Sequence, residues 1–413
     1  MLSDIRSHIY SLGSYKCPQS STQIKAEKLS VAYITHNLKS QGAQNSLLDI
    51  ATATKENPRF KSLLFSSGRD VLAKHYEEKG IPIILFHRPD AGDPSQEDYD
   101  SRLSSLKNLF LKHKIDIVHA NTLQTHYAVH AAKQLGIPVI WNIRESDSPS
   151  EYFESSPKLV EKSIKQAFSI ADSVLFVSRS SQRNWCDAFN VKNSKTLHNS
   201  LDYSKMARLT SPHDRFSLRE AFGIGCGEKL ILTTGTTTER KGQLDLIAAV
   251  RHKTEILERS HLVVAGIGRN KYSQRIRSEV RKLPLNKQKR VHLVNELPFR
   301  EVVPLYLAAD IFVFCSRLES LPRSILEAFV FGLPIVTTPV NGVPEVVSEN
   351  VNGFFYEAGD IEDLSSKIIY LLTNRDQFLQ MRKASISQAR EHPSFESLMH
   401  EYQKTYLEVV DLH

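Results

Sequence analysis

Ile311-Phe312-Val313-Phe314-Cys315-Ser316-Arg317-Leu318-Glu319-Ser320-Leu321-Pro322-Arg323-Ser324-Ile325-Leu326-Glu327-Ala328-Phe329 reads as a buried strand, a polar turn and a helix entered near Arg323. The opening apolar run suits a strand covered on both faces, the habit of parallel sheets flanked by helices. In such open sheets ligands bind just beyond the carboxyl ends of the strands, where helix amino termini present free N–H groups. The turn holding Glu319 occupies such a place.

Outward from this unit the same alternation repeats. Towards the amino terminus, strands are expected in Leu29–Thr35, Ile81–Phe86, Ile115–Ala120, Ile137–Ile143 and Ser173–Val177. Helical spacing appears in Ala43–Lys55, Asp98–His113, Leu123–Leu135 and Pro157–Ala167. Asn199–Asp214 is poor in buried-type periodicity and holds Ser200, Asp202, Ser211, Pro212 and Asp214, so a boundary is placed there. A second series follows, with strands at Leu230–Thr234, Leu262–Gly266, Val291–Val294, Ile311–Cys315 and Pro334–Thr338. The fold class is α/β, with two such domains in series. The expected divisions are an extension over 1–26, a first domain over 27–203, a second over 204–392, and a terminal helix over 393–413.

Composition narrows the class without naming a chemistry. The 413 residues are 41% hydrophobic and 24% charged, enough for packed cores and inconsistent with disorder, collagen or a coiled coil. A net charge of +7 suits anionic partners such as nucleotides, phospholipid surfaces or nucleic acid, and equally an ordinary soluble surface. Cys17, Cys186, Cys226 and Cys315 lie far apart with no CxxC pair, which suggests neither a zinc site nor a disulfide framework. No stretch reaches the length of an apolar spanning helix, so a cytoplasmic location, with peripheral contact at the inner membrane, is expected.

Three turns carry candidate chemistry. Glu319 and Glu327 could each hold hydroxyls on either side of a diphosphate. Taken as an isolated pair they are a helix-approach charge and a paired surface residue. A glycosidase would need them flanking one bond at about 5–9 Å, which this spacing does not require. Gly235-Thr236-Thr237-Thr238-Glu239-Arg240-Lys241-Gly242 follows a strand, and its cations suit a diphosphate. Gly266-Ile267-Gly268 opens like a dinucleotide fingerprint, but Lys271 stands where the third glycine belongs, so a nucleotide-contacting turn is expected and not an NAD site. Asp98-Tyr99-Asp100 is read as a solvated helix start, and His126 with His130 as core or surface histidines.

Together these pieces resemble the family 4 retaining glycosyltransferases of the GT-B fold, a resemblance that implies two Rossmann-like domains facing a cleft and a terminal helix that crosses back to the first. The likeness rests on Gly235 to Gly242, Gly266-x-Gly268, Glu319-x7-Glu327, Asn341-Gly342 and Pro344-Glu345 in the second half. In the first it rests on Thr35-His36-Asn37, Gly42-Ala43-Gln44, Asp116 to Ala120, Ala171-Asp172-Ser173 and Asn199. The resemblance implies that Glu327 binds ribose hydroxyls, Arg240 and Lys241 the diphosphate, and Glu319 the donor sugar. It also implies backbone contacts from Leu321, Arg323 and Ser324, and an acceptor side near Gly42 and Gln44. It implies no metal, no cofactor and no nucleic-acid partner: the partners are a nucleotide-sugar, UDP-sugar favoured, and a glycan or lipid-linked acceptor. Departures are visible. Thr236 replaces a common Arg, Pro322 a common Gly, and Arg144 stands where many members carry an active-site His, so that it is either catalytic or part of a structural ion pair. An epimerase or hydrolase on the same scaffold, and a non-catalytic nucleotide-sugar binding module, are the competing readings.

Overall fold

The computed structural model describes residues 28–92 and 94–413, so the expected extension over 1–26 and Cys17 lie outside the described residues. The chain forms two compact units. One runs through the described residues to Asn199 and takes in Glu396–His413; the other is Ser200–Phe395.

The first unit holds β1 (Leu29–Thr35), β2 (Phe60–Ser66), β3 (Ile83–Leu85), β4 (Ile117–Asn121), β5 (Val139–Ile143), β6 (Ser173–Phe176) and β7 (Ser194–Thr196). They form one parallel sheet in the order β3-β2-β1-β4-β5-β6-β7. The second holds β8 (Lys229–Thr234), β9 (Ser260–Ile267), β10 (Val291–Asn295), β11 (Ile311–Phe314), β12 (Ile335–Thr337) and β13 (Gly353–Phe355), in the order β10-β9-β8-β11-β12-β13, again parallel. Each sheet therefore reverses its winding at one place, between β1 and β4 and between β8 and β11. Those are the crevices where doubly wound sheets take ligands.

Burial explains the strands. Every residue of β4, β5, β6, β9, β11 and β12 is buried, because crossover helices cover both faces. β2, β7 and β13 have no counterpart in the expected set. Lys61 and two serines interrupt β2, yet it pairs with β1 along its whole length, and the Ser62 hydroxyl donates to Ala51 O at 2.9 Å. β7 and β13 are three residues each and exist through register with a neighbour.

The stretch expected to lack buried periodicity is instead a helix, Tyr203–Thr210, with Tyr203, Met206, Ala207 and Thr210 buried at helical spacing. Asp202 caps it by accepting from Lys205 N at 2.7 Å. Its serines and aspartates act as caps and flanks, which a composition count mistakes for a linker. Leu123–Leu135 also divides, into a 3₁₀ turn Leu123–Thr125 and a helix His126–Gln134.

The terminal helix Phe395–Asp411 buries Leu398, Met399, Tyr402, Thr405, Tyr406 and Val409. Against the first sheet, the Tyr406 hydroxyl meets His119 Nδ1 at 2.7 Å and Asn142 donates to Tyr402 Oη at 3.1 Å. No helix among the described residues is long and apolar enough to cross a membrane.

Candidate active site

In the second unit the site is built at the β8/β11 crevice by close backbone approach. Gly266, at φ 114°, is the penultimate residue of β9, and a Cβ there would lie 2.2 Å from Gly235 O. Gly242, at φ 64°, lies against the end of β11, where a Cβ would fall 2.1 Å from Cys315 O. No other residue allows either approach. The loop after β8 is thereby laid across the end of β11, and Arg240 O accepts from Arg317 N at 2.8 Å and from the Ser316 hydroxyl at 3.1 Å.

That placement brings Arg240 and Lys241 onto Glu319, 79 and 78 residues away in sequence. Arg240 donates to Glu319 Oε1 at 2.7 Å, Lys241 Nζ at 2.5 Å and the Ser316 hydroxyl at 2.9 Å. Three donors share one oxygen, and among the described residues Oε2 accepts no hydrogen bond. Glu319 is only 8% exposed. Burial pushes its carboxyl up, but the Lys241 and Arg240 charges, with hydrogen bonds from Lys241 and Ser316, outweigh burial and hold it below the ordinary value.

Glu327, inside helix Arg323–Val330, is 7% exposed and accepts from the Tyr306 hydroxyl at 2.8 Å. Tyr306 also meets Thr234 Oγ1, at the last residue of β8, at 2.7 Å. Burial raises the Glu327 carboxyl above its ordinary value, against the opposing pull of Arg323, Tyr306 and Lys241. Helix Arg323–Val330 starts after Pro322, which has no N–H, so the first N–H groups of its leading turn belong to Arg323 and Ser324. Leu321 is buried at the turn. Gly268 is turned inward, its N–H donating to the Ser273 hydroxyl at 3.1 Å. Sequence reading missed Tyr306 and Thr234. A tyrosine in an apolar helix looks like core, and only packing discloses the carboxylate beside it.

The first unit has its own crevice between β1 and β4. His36, just beyond β1, meets Thr122 Oγ1 at 3.2 Å and Gln44 Nε2 at 3.3 Å. Burial, with the Arg88 charge, lowers the His36 pKa to about 4, so the ring is neutral at neutral pH. Thr122 has φ 81° and ψ 160°, a conformation nearly confined to glycine. It is held there by Leu123 N donating to Glu145 Oε1 at 2.8 Å and Thr122 N to Asn142 O at 2.8 Å. Burial pushes Glu145 up to about 7. Arg144, beyond β5, donates to Asn121 Oδ1 at 2.7 Å and Asn199 Oδ1 at 3.0 Å. Gln44 is buried while Gly42, first residue of helix Gly42–Glu56, is exposed.

The two remaining motif candidates have structural partners. Asp98 accepts from its own cap, Ser95, in helix Gln96–Lys112. His126 Nδ1 meets the Ser163 hydroxyl at 2.8 Å and His130 Nε2 the Ser163 carbonyl at 2.9 Å.

Residues 40–205 match Glycosyltransferase Family 4 and residues 214–392 match Glycosyl transferases group 1. The chain is a family 4 glycosyltransferase. This glycosyltransferase is 25% identical over 350 residues to the N-acetyl-alpha-D-glucosaminyl L-malate synthase of Bacillus anthracis, covering 80% of the chain and 86% of that relative. It is 25% identical over 278 residues to an Escherichia coli UDP-Gal:alpha-D-GlcNAc-diphosphoundecaprenol alpha-1,3-galactosyltransferase, covering 65% and 69%. The chain spans 62%, 86% and 55% of the length of the first three curated relatives it matches. Its fold is that of Anabaena HepE, solved in complex with UDP, with a TM-score of 0.78, 19% identity, and 92% of this chain and 100% of that one covered.

Proposed function

We propose that this glycosyltransferase moves a sugar from a UDP-sugar to a hydroxyl of a glycan or lipid-linked acceptor, retaining the anomeric configuration and using no metal. The observation that carries the reading is the convergence of Arg240, Lys241 and Ser316 on one oxygen of Glu319 while its other oxygen stays open. Two cations beside a buried carboxylate match a ligand that is anionic at one end and hydroxylated at the other. A diphosphate draws Arg240 and Lys241 towards itself, Glu319 Oε2 accepts a hydroxyl of the donor sugar, and Glu327 accepts from the ribose.

As the bond to the diphosphate breaks, negative charge grows on the leaving oxygens and positive charge on the sugar ring. The cations and the N–H groups at Arg323 and Ser324 stabilise the first, and the Glu319 carboxylate the second. The acceptor hydroxyl arrives on the face the diphosphate leaves, with positioning supplying much of the rate; acceptor binding is assigned to Gly42, Gln44 and Arg144. Uridine is favoured because the structural neighbour HepE was solved with UDP. A lipid-linked acceptor is favoured by the name of the Escherichia coli relative, and implies peripheral contact with an anionic inner leaflet.

Screening UDP-, GDP- and ADP-sugars by thermal unfolding tests the donor. The right one at a hundred times its dissociation constant adds about 2.7 kcal/mol, and stabilisation by GDP- or ADP-sugars alone rejects the uridine assignment. Turnover unchanged in EDTA, with an anomeric proton in the product matching the donor's configuration by NMR, is the expected outcome. An inverted product rejects the mechanism. Sugar released or epimerised without any acceptor moves the chain to the hydrolase or epimerase class.

A further inference from the structure

At the far end of the second sheet, away from the donor crevice, four cations surround one carboxylate. Asp310, immediately before β11, is 6% exposed. Arg215 donates to its Oδ1 at 2.9 Å, Arg219 to its Oδ2 at 2.8 Å, and Leu230 N to Oδ2 at 2.8 Å. Lys229 Nζ lies 3.8 Å from Oδ1, and Arg382, on helix Arg375–Glu391, feels the same charge.

Two of these cations are fully occupied. Arg215 also donates to Leu307 O and Ala309 O, and Arg219 to Ala308 O and Glu228 O, closing the carboxyl end of helix Phe299–Ala308. The other two are not. Lys229 Nζ is beyond hydrogen-bond reach of Asp310 and rests 3.9 Å from the centre of the Phe378 ring, one turn before Arg382 on the same helix face. Among the described residues the Arg382 side chain makes no hydrogen bond or ion pair, although it is not exposed.

Charge accounting leaves an excess. One carboxylate and the roughly half-unit negative end of a helix face four cations, so more than two positive charges stay uncompensated in a half-buried place. Guanidinium and ammonium groups withdrawn from water are ordinarily paired. Burial lowers the pKa of Arg215, Lys229 and Arg382 despite the pull of Asp310, the sign of a missing counter-charge.

We infer that Lys229 and Arg382 hold a phosphate-class oxyanion, in a site separate from the donor crevice. The six residue steps from Lys229 to Gly235 put about 20 Å between the two along β8. A doubly charged oxyanion offsets most of the excess, and the several donors of a guanidinium and an ammonium suit its oxygens better than they suit a chloride.

The test is calorimetric titration of the full chain with inorganic phosphate, in an Arg240→Ala/Lys241→Ala background that removes the donor cations. A single phosphate still binds in that background, and its dissociation constant rises at least tenfold on adding Arg382→Gln or Lys229→Gln, with circular dichroism unchanged. The inference is overturned if phosphate binding disappears with the donor cations, or if it survives both second-site substitutions. It is equally overturned if Arg382→Gln raises the melting temperature and no phosphate binds with Arg382 intact. A second arm uses phosphatidylcholine vesicles with and without phosphatidic acid. Sedimentation with the acidic vesicles that Arg382→Gln abolishes assigns the oxyanion to a lipid headgroup, and phosphate binding without sedimentation assigns it to a free phosphate.

Discussion

Glu319 is held on one oxygen by Arg240 and Lys241, so under the proposed function a diphosphate competes with the carboxylate for the same two donors. Glu319→Gln is expected to lower kcat by about 10²- to 10³-fold, the scale of losing one electrostatic contact made in the transition state. UDP affinity in the same variant stays equal or becomes tighter, because Lys241 and Arg240 are released; weakened UDP binding by calorimetry would contradict the assignment. Tyr306 donates to Glu327 and lowers a carboxyl that burial raises. Tyr306→Phe removes that donor, so the Glu327 pKa climbs further. The acid limb of the donor kcat/KM profile then moves to higher pH, and an unmoved limb separates Glu327 from donor binding. At this scale the sequence showed the charged groups and concealed their mutual contact. Lys241 and Glu319 are 78 residues apart, and no spacing rule reports that one glycine brings them together.

The loops that carry these groups depend on two glycines for different reasons than a third. Gly266→Ala puts a methyl on the Gly235 carbonyl at a φ of 114°, and is expected to cost about 2–4 kcal/mol in urea denaturation followed by circular dichroism. Gly42 has nothing within 4 Å of a Cβ and sits at a helix start. Gly42→Ala is therefore expected to stabilise by up to about 1 kcal/mol. If transfer falls while stability rises, Gly42 serves the close approach of an acceptor; if both rise or hold, it leaves the acceptor side. Strands with an unbroken apolar run, such as Leu262–Ala265 in β9 and Ile311–Phe314 in β11, were legible because a short apolar run covered on both faces is itself the signal. β2 was not, since Lys61 and its serines are accommodated by pairing to β1 and by one hydroxyl bond, neither of which is local. Tyr203–Thr210 was misread for the same reason that makes it stable: its capping residues look like linker.

Across the molecule the two units are separately observable, because Trp141 and Trp185 are both buried in the first. Tryptophan fluorescence thus follows that unit alone. His119, fully buried beneath the terminal helix, has its pKa lowered to about 3 by burial and the Arg144 charge. It is neutral when folded and charges when unfolded below pH 6.5, so its contribution is complete above 6.5 and is lost as pH falls towards 3. The slope is about 1.4 kcal/mol per pH unit. His119→Gln is expected to remove about that much slope between pH 6 and 5 in urea midpoints read by fluorescence; an unchanged slope assigns the acid sensitivity to other groups. Tyr406→Phe, which leaves His119 without its partner, is expected to cost about 1–3 kcal/mol in the same signal.

Tyr402 and Tyr406 meet strands β4 and β5 across long sequence separations, 260 residues from Asn142 to Tyr402 and 287 from His119 to Tyr406. On the ribosome, the half of the chain made first must wait for the half made last before its sheet is closed over. Domains usually mature in the order they emerge, at about 5–20 residues per second. Here the amino-terminal half lingers incomplete for that whole interval, and a nonsense codon near the 3′ end of the message damages the earliest-made part of the protein.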